Sequence, residues 1–255
     1  MSRPLAGQRV VVTRAAHQAE GLCAAFEAAG ADVARLPLLE IAPPADPEPL
    51  EQAARHAGNS DWIAFTSANA VHAFASLVDP WPEVRTAVVG PATAAALRQA
   101  GVEPDLEAEQ SRAESLVETL RPRLTSGTRF LVPQADDARP DLVDGLRAAG
   151  AAVTAVTAYS KRLPAAAEGI ARKLFDDFPI GWVTCTSPRI ARHFAGLFGD
   201  EWPRRRGEMW ALSIGPVTSA ELRRLGVQAV MQAARPSDDG LVEAMVEASR
   251  QDEGL

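Results

Sequence analysis

The sequence predicts an α/β protein made of two similar units, each a parallel sheet with helices on both faces. Three features carry that expectation: strands alternate with helices from end to end, the chain repeats itself once, and two loosely patterned stretches divide it. The expected strands are "RVVVTR" from 9, "ADVARLP" from 31, "WIAFTS" from 62, "TAVVG" from 86 and "RFLVP" from 129. "AAVTAVTAY" from 151, "GWVTCTS" from 181, "WALSIG" from 210 and "QAVMQA" from 228 continue the series. Between them lie Ala- and Leu-rich segments of about ten to fourteen residues with apolar positions at helical spacing. Helices of that length between strands act as crossovers, which make neighbouring strands parallel and cover both sheet faces.

The repeat sets the organisation. "FTSANAVHAFASL" (65–77) aligns with "CTSPRIARHFAGL" (185–197), and "AAGADVARLP" (28–37) with "AAGAAVTAVT" (148–157), each 120 residues apart. "VVGPATAAAL" (88–97) aligns with "SIGPVTSAEL" (213–222), and "ESLVETL" (114–120) with "DGLVEAM" (239–245), each 125 apart. Blocks this far apart describe two copies of one α/β unit, not a solenoid of 20- to 50-residue repeats. "IAPPADPEPL" (41–50) holds four prolines, which fit neither a helix interior nor a central strand. With "YSKRLPAAAEG" (159–169) it forms a pair of expected connections. The expected domains are 1–38 with 166–255, discontinuous, and 48–153; residues 39–47 and 154–165 join them.

Composition narrows the function. The 255 residues are 47% apolar and 23% charged, the balance of a globular protein. No apolar run approaches the roughly 20 residues of a membrane span, and the opening residues lack the order of an export signal. A net charge of −7 without a basic block gives no footprint for nucleic acid. Cys23 and Cys185 are far apart in apolar contexts and are expected as buried free thiols in a reducing cytoplasm. His17, His56, His72 and His193 show no ligand spacing with the cysteines, so no metal site is expected. Dinucleotide, phosphate-loop and nucleophile-elbow motifs are absent.

The candidate site residues sit where strands end and helices begin. Gly90 and Gly215 are expected to allow a tight turn that a side chain would obstruct, and Pro91 and Pro216 fit a first helical turn. Thr93 and Thr218 then lie beside unpaired N–H groups at the positive end of a helix dipole, which can hold a carboxylate or phosphate. A plain βα turn explains the same residues. Ser67 and Ser187, after Thr66 and Thr186, are either simple N-caps or ligand contacts. Carboxyl ends of parallel strands face the ligand crevice, so four hydroxyl-bearing turns and Arg14 are expected on the rim of one cleft. Tyr159, the only tyrosine, is either a core residue or a proton donor near that cleft.

Taken in order, "VVVTR", "PLLEIAP", "WIAFTSANAV", "VVGPATAAAL", Tyr159, "VTCTSPR", "SIGPVTSAEL" and "PSDDGLVEAM" resemble the uroporphyrinogen-III synthase family over nearly the whole chain. The resemblance implies two flavodoxin-like α/β domains, the first discontinuous, joined by a two-segment β-ladder with the active site in the cleft. It implies a linear tetrapyrrole substrate, hydroxymethylbilane, with eight carboxylates. It also implies loss of the terminal hydroxyl as water, inversion of ring D through a spiro intermediate, and ring closure without a cofactor. Tyr159 matches the family's proposed general acid. Thr93 and Thr218 match its cleft threonines, Ser67 and Ser187 its strand-end serines, and Arg139 and Arg14 are further substrate contacts. "LVPQADDARPDL" (131–142) departs from the family pattern, with Gln134 in place of a basic residue and no glycines. The expected partners are the substrate and, in passing, hydroxymethylbilane synthase, with no nucleic acid, no membrane and a monomeric chain. A two-lobed ligand-binding protein or an inactive regulatory derivative would share the fold.

Overall fold

The computed structural model describes residues 3–176 and 180–252. The chain opens with β1 (Arg9–Val12), α1 (Glu20–Ala28), β2 (Asp32–Arg35) and β3 (Glu40–Ala42). Next come α2 (Glu48–Arg55), β4 (Trp62–Phe65), α3 (Ala68–Ala75), β5 (Arg85–Val88), α4 (Pro91–Gln99), β6 (Leu106–Glu107) and α5 (Ala113–Leu120). β7 (Arg129–Ala135), α6 (Asp141–Ala148), β8 (Ala152–Arg162), α7 (Ala167–Phe175), β9 (Gly181–Cys185), α8 (Pro188–Gly196) and α9 (Trp202–Arg205) follow. β10 (Met209–Ser213), α10 (Pro216–Arg224), β11 (Ala229–Gln232) and α11 (Asp238–Asp252) complete the order.

The chain divides into a terminal unit, Met1–Glu40 with Arg162–Leu255, and a central unit, Ile41–Lys161. The terminal sheet runs β11-β10-β9-β1-β2 with every pairing parallel. The central sheet runs β3-β8-β7-β4-β5-β6, and its β8-β7-β4-β5-β6 portion is parallel throughout. Both are doubly wound: numbered in its own chain order, the terminal sheet runs 2-1-3-4-5, as in flavodoxin-like sheets, and the parallel part of the central one 3-2-1-4-5. The strand order reverses between β1 and β9 and between β7 and β4. The corresponding strands expose an exchange. Along the sequence each copy reads β1-β2 then β4-β5-β6, or β7-β8 then β9-β10-β11. In space β1-β2 join β9–β11, and β7-β8 join β4–β6, so each sheet takes strands from both copies.

Strand side chains alternate between two cores, as the period of two demands. In β4, Trp62 and Ala64 face α5 and α6, whereas Ile63 and Phe65 face α3 and α4. In β1, Val10 and Val12 pack with α1 and α11, and Val11 with α7, α8 and α10. Strand β6 was not expected, and β3, in the 39–47 connection beside β8, was implied only by the β-ladder of the resembled family and not by the residue pattern. Two or three residues are too few to show a period, and β3 runs into the proline-rich stretch. Most of 154–165 is strand, because β8 runs on to Arg162.

Glu221 ties α10 to α8. Its carboxylate accepts from Arg224 Nη2 at 2.7 Å and Arg192 Nη1 at 3.1 Å. These charge-assisted bonds, against a smaller opposing effect of burial, lower its pKa from 4.5 to about 2. A folded-state pKa below the unfolded one gives stability that is fully present above the unfolded value and lost as pH falls through the folded one. Wild type minus Glu221→Gln stability, from urea melts, is therefore expected to be constant near neutrality and to shrink between about pH 4.5 and 2. A difference that persists unchanged at pH 2 would contradict this.

Candidate functional site

In the central unit the strand order reverses between β4 and β7, and the turns leaving both strands open into a crevice of about 430 Å³. Thr66 and Ser67 enter from β4, and Gln134, Asp137 and Arg139 from β7 and the turn after it. Ser111 and Arg112 come from the start of α5, and Tyr159 and Lys161 from β8.

Ser67 is the N-cap of α3, with extended backbone and an Oγ that accepts from Ala70 N at 3.2 Å. That oxygen also shares a hydrogen bond of 3.1 Å with the Tyr159 hydroxyl. A β-bulge makes the meeting possible. Gln134 pairs with Thr157 but Ala135 pairs with Tyr159, leaving Ala158 as the extra residue. Alternation would place Tyr159 opposite Ala158; instead both pack into the core of α3 and α4. The phenol ring is 5% exposed, and its oxygen emerges at the crevice beside Ser67. With the Ala70 N–H using one lone pair, Ser67 can donate to the Tyr159 oxygen and leave the phenolic proton free for a bound group.

The two Gly-Pro-x-Thr turns differ. Gly90 has φ +86°, and a Cβ there would stand 2.6 Å from Ser111 Oγ. Gly215 is extended at φ 175°, and an added Cβ would meet nothing within 4 Å. The expected obstruction is thus real at Gly90 and wrong at Gly215, where Ser213 Oγ holds the turn by donating to Gly215 O at 2.9 Å. Gly90→Ala is expected to cost about 1–3 kcal/mol, and Gly215→Ala to stay within about 0.5 kcal/mol. Thermal melts of the two variants compare them; equal losses would refute the contrast.

Thr93 is 3% exposed, and its hydroxyl donates to Val89 O at 3.3 Å. Thr218 is equally buried. Ser187 caps α8, accepting from Ile190 N at 3.2 Å. Arg14 Nη1 lies 2.7 Å from Asp238 Oδ1, at the first residue of α11. Arg139 is 79% exposed, and its Nε is 3.5 Å from Asp141 Oδ2. The crevice therefore gathers Ser67, Tyr159 and Arg139. Arg14, Ser187 and Thr218 belong to the terminal unit, and Thr93 is packed beneath the turn that carries it.

Arg112 and Lys161 were missed. Arg112 occupies the N-cap of α5 without a side-chain cap bond. Its counterpart in the repeat is Ser237, whose Oγ accepts from Gly240 N at 3.1 Å. That cap-to-arginine change was readable from the repeat. Lys161 was hidden because the sequence around it reads as a connection. In the terminal unit Thr13 donates its hydroxyl to Thr184 O and its N–H to Thr184 Oγ1, clamping β1 to β9 where the order reverses.

Both cysteines are fully buried free thiols, and desolvation raises both, Cys185 to about 12. Among the described residues no His, Cys, Asp and Glu group could hold a metal ion, and no helix is long and apolar enough to cross a membrane.

Two doubly wound α/β units, with a hydroxyl-lined crevice at the strand reversal of the central one, define a ligand-handling α/β protein. Residues 20–243 match the profile of the family described as Uroporphyrinogen-III synthase HemD. The chain belongs to the uroporphyrinogen-III synthase family. It is 34% identical to the uroporphyrinogen-III synthase of Synechococcus elongatus, over 98% of each chain. It is 30% identical to a putative uroporphyrinogen-III synthase of Methanothermobacter thermautotrophicus, over 87% of this chain and 91% of that one. Among solved structures, uroporphyrinogen-III synthetase of Helicobacter pylori superposes with a TM-score of 0.63 at 18% identity, covering 94% of this chain and 99% of that one. A mutant uroporphyrinogen III synthase of Thermus thermophilus gives 0.59 at 17% identity, covering 96% and 100%. These two share the fold.

Proposed function

We propose that this chain acts in tetrapyrrole biosynthesis by cyclising hydroxymethylbilane to uroporphyrinogen III, with loss of water and inversion of ring D. Family membership supports the reaction, and the Ser67–Tyr159 hydrogen bond is the observation that gives it a chemical centre. The phenol donates its proton to the departing hydroxyl while pyrrole electrons expel it, so the C–O bond breaks and water leaves. The exocyclic carbon so freed on ring A bonds to the substituted α carbon of ring D, giving the spiro intermediate. The bond from that α carbon to the bridge from ring C breaks, the bridge carbon re-bonds at the free α carbon of ring D, and the proton lost there returns to the phenolate. General acid assistance of this kind contributes about 10²- to 10⁴-fold. The remaining task is positioning, because the bilane left alone closes to the uninverted isomer.

The substrate carries many carboxylates, whereas the chain has a net charge of −7. Local cations must therefore offset the repulsion, and the crevice supplies Arg112, Arg139 and Lys161. Thr93, Thr218, Ser187 and Arg14 are further proposed substrate-binding residues, each within its own unit, Thr93 through the turn its hydroxyl stabilises. We place the reaction in the reducing cytoplasm, with a monomeric chain taking the unstable bilane from hydroxymethylbilane synthase in a transient encounter. Adding the chain to freshly generated hydroxymethylbilane is expected to shorten the bilane's lifetime in proportion to dose. An unchanged lifetime at every dose would overturn the proposal.

A further inference from the structure

Resting on that function, we infer that Lys161 is a carboxylate-binding residue of the central-unit crevice, and that Asp137 is the exchangeable counter-ion that holds it until substrate arrives. Lys161 follows Tyr159 by two positions on β8, so the two side chains leave the same face of the strand. Its Nζ lies 5.9 Å from the centroid of the Tyr159 ring, within range of cation–π attraction. The same Nζ is 3.2 Å from Asp137 Oδ1, on the turn after β7. Lys161 is thus fixed from two sides, directly beside the only phenol of the chain.

The pair is built to exchange. The two side chains are 31% and 34% exposed, so solvent screens their attraction and separating them costs little. A lysine ammonium carries three donors on a flexible stem, and a substrate carboxylate can replace Asp137 without backbone movement. The competing cations are less well placed. Arg139 is largely in solvent beside Asp141, and the Arg112 side chain has no hydrogen bond or ion pair among the described residues that would fix its geometry. A carboxylate on Lys161 would lie next to the Tyr159 ring and so register the bilane against the phenolic proton. Asp137 keeps Lys161 in place, but it also presents a like charge to the incoming substrate.

Steady-state kinetics on hydroxymethylbilane test this with three variants. Lys161→Met is expected to raise KM by about tenfold while kcat changes less than threefold, the pattern of lost uniform binding. Lys161→Arg keeps the charge and is expected to restore KM to within about threefold of wild type. Asp137→Asn is expected to lower KM by about threefold, an opposite sign that a folding defect cannot imitate. An active wild type with an unchanged KM in Lys161→Met, or a raised KM in Asp137→Asn, overturns this assignment alone. A wild type that leaves the bilane untouched overturns the function beneath it as well.

Discussion

Tyr159→Phe is expected to lower kcat by about a hundredfold while KM stays within about threefold. The variant removes one oxygen and keeps the ring, which is 5% exposed among Phe65, Phe74 and the aliphatic side chains around them. Folding should survive, since among the described residues the lost hydroxyl bonds to Ser67 alone, in a partly solvated crevice, and its partner can turn to water. What disappears is the proton for the departing hydroxyl. Because the chain has a single tyrosine, a ¹³C-labelled tyrosine gives one resonance that reports on this phenol in the wild type. Ser67→Ala is expected to shift that resonance, and to lower kcat by less than the loss of the phenol does. Unchanged kcat in Tyr159→Phe would remove its assigned role.

Phe194→Ala is expected to destabilise the fold by about 3–5 kcal/mol. Phe194 is fully buried on α8, the helix that Ser187 caps. Its ring is the hub of an aromatic group, 5.9 Å from Phe175, 5.3 Å from Phe198 and 6.1 Å from Trp202, all in edge-on contacts. Truncation loses those ring contacts and leaves a cavity that three rigid neighbours cannot collapse into. Urea unfolding followed by tryptophan emission measures the loss, and a change below about 1 kcal/mol would contradict the packing described.

Much of this was legible in the sequence because it rests on local rules. β-Branched runs marked nine strands, and Trp62 to Phe65 alternates between cores because a strand has a period of two. Ser67 and Ser187 were readable as caps from the hydroxyl-then-helix pattern alone. Other features depend on pairing partners that local patterns do not encode. The bulge at Ala158, which turns Tyr159 toward Ser67, exists only relative to β7. The need for glycine at Gly90 comes from Ser111, 21 positions later, whereas Gly215 has no such neighbour. The exchange of half-copies between sheets does not come from the alignment of the two Gly-Pro-x-Thr phrases; the expected union of 1–38 with 166–255 rested instead on the two stretches that divide the chain. Lys161 was lost for a simpler reason: a strand that outlasts its apolar pattern reads as a loop.

The most direct test of the whole account is the isomer composition of the product. Hydroxymethylbilane generated in place by its own synthase, with and without this chain, is allowed to close, and the oxidised porphyrins are separated by isomer. The account predicts type I without the chain and an increasing fraction of type III as the chain is added. Type I alone, at every concentration of the chain, would contradict it.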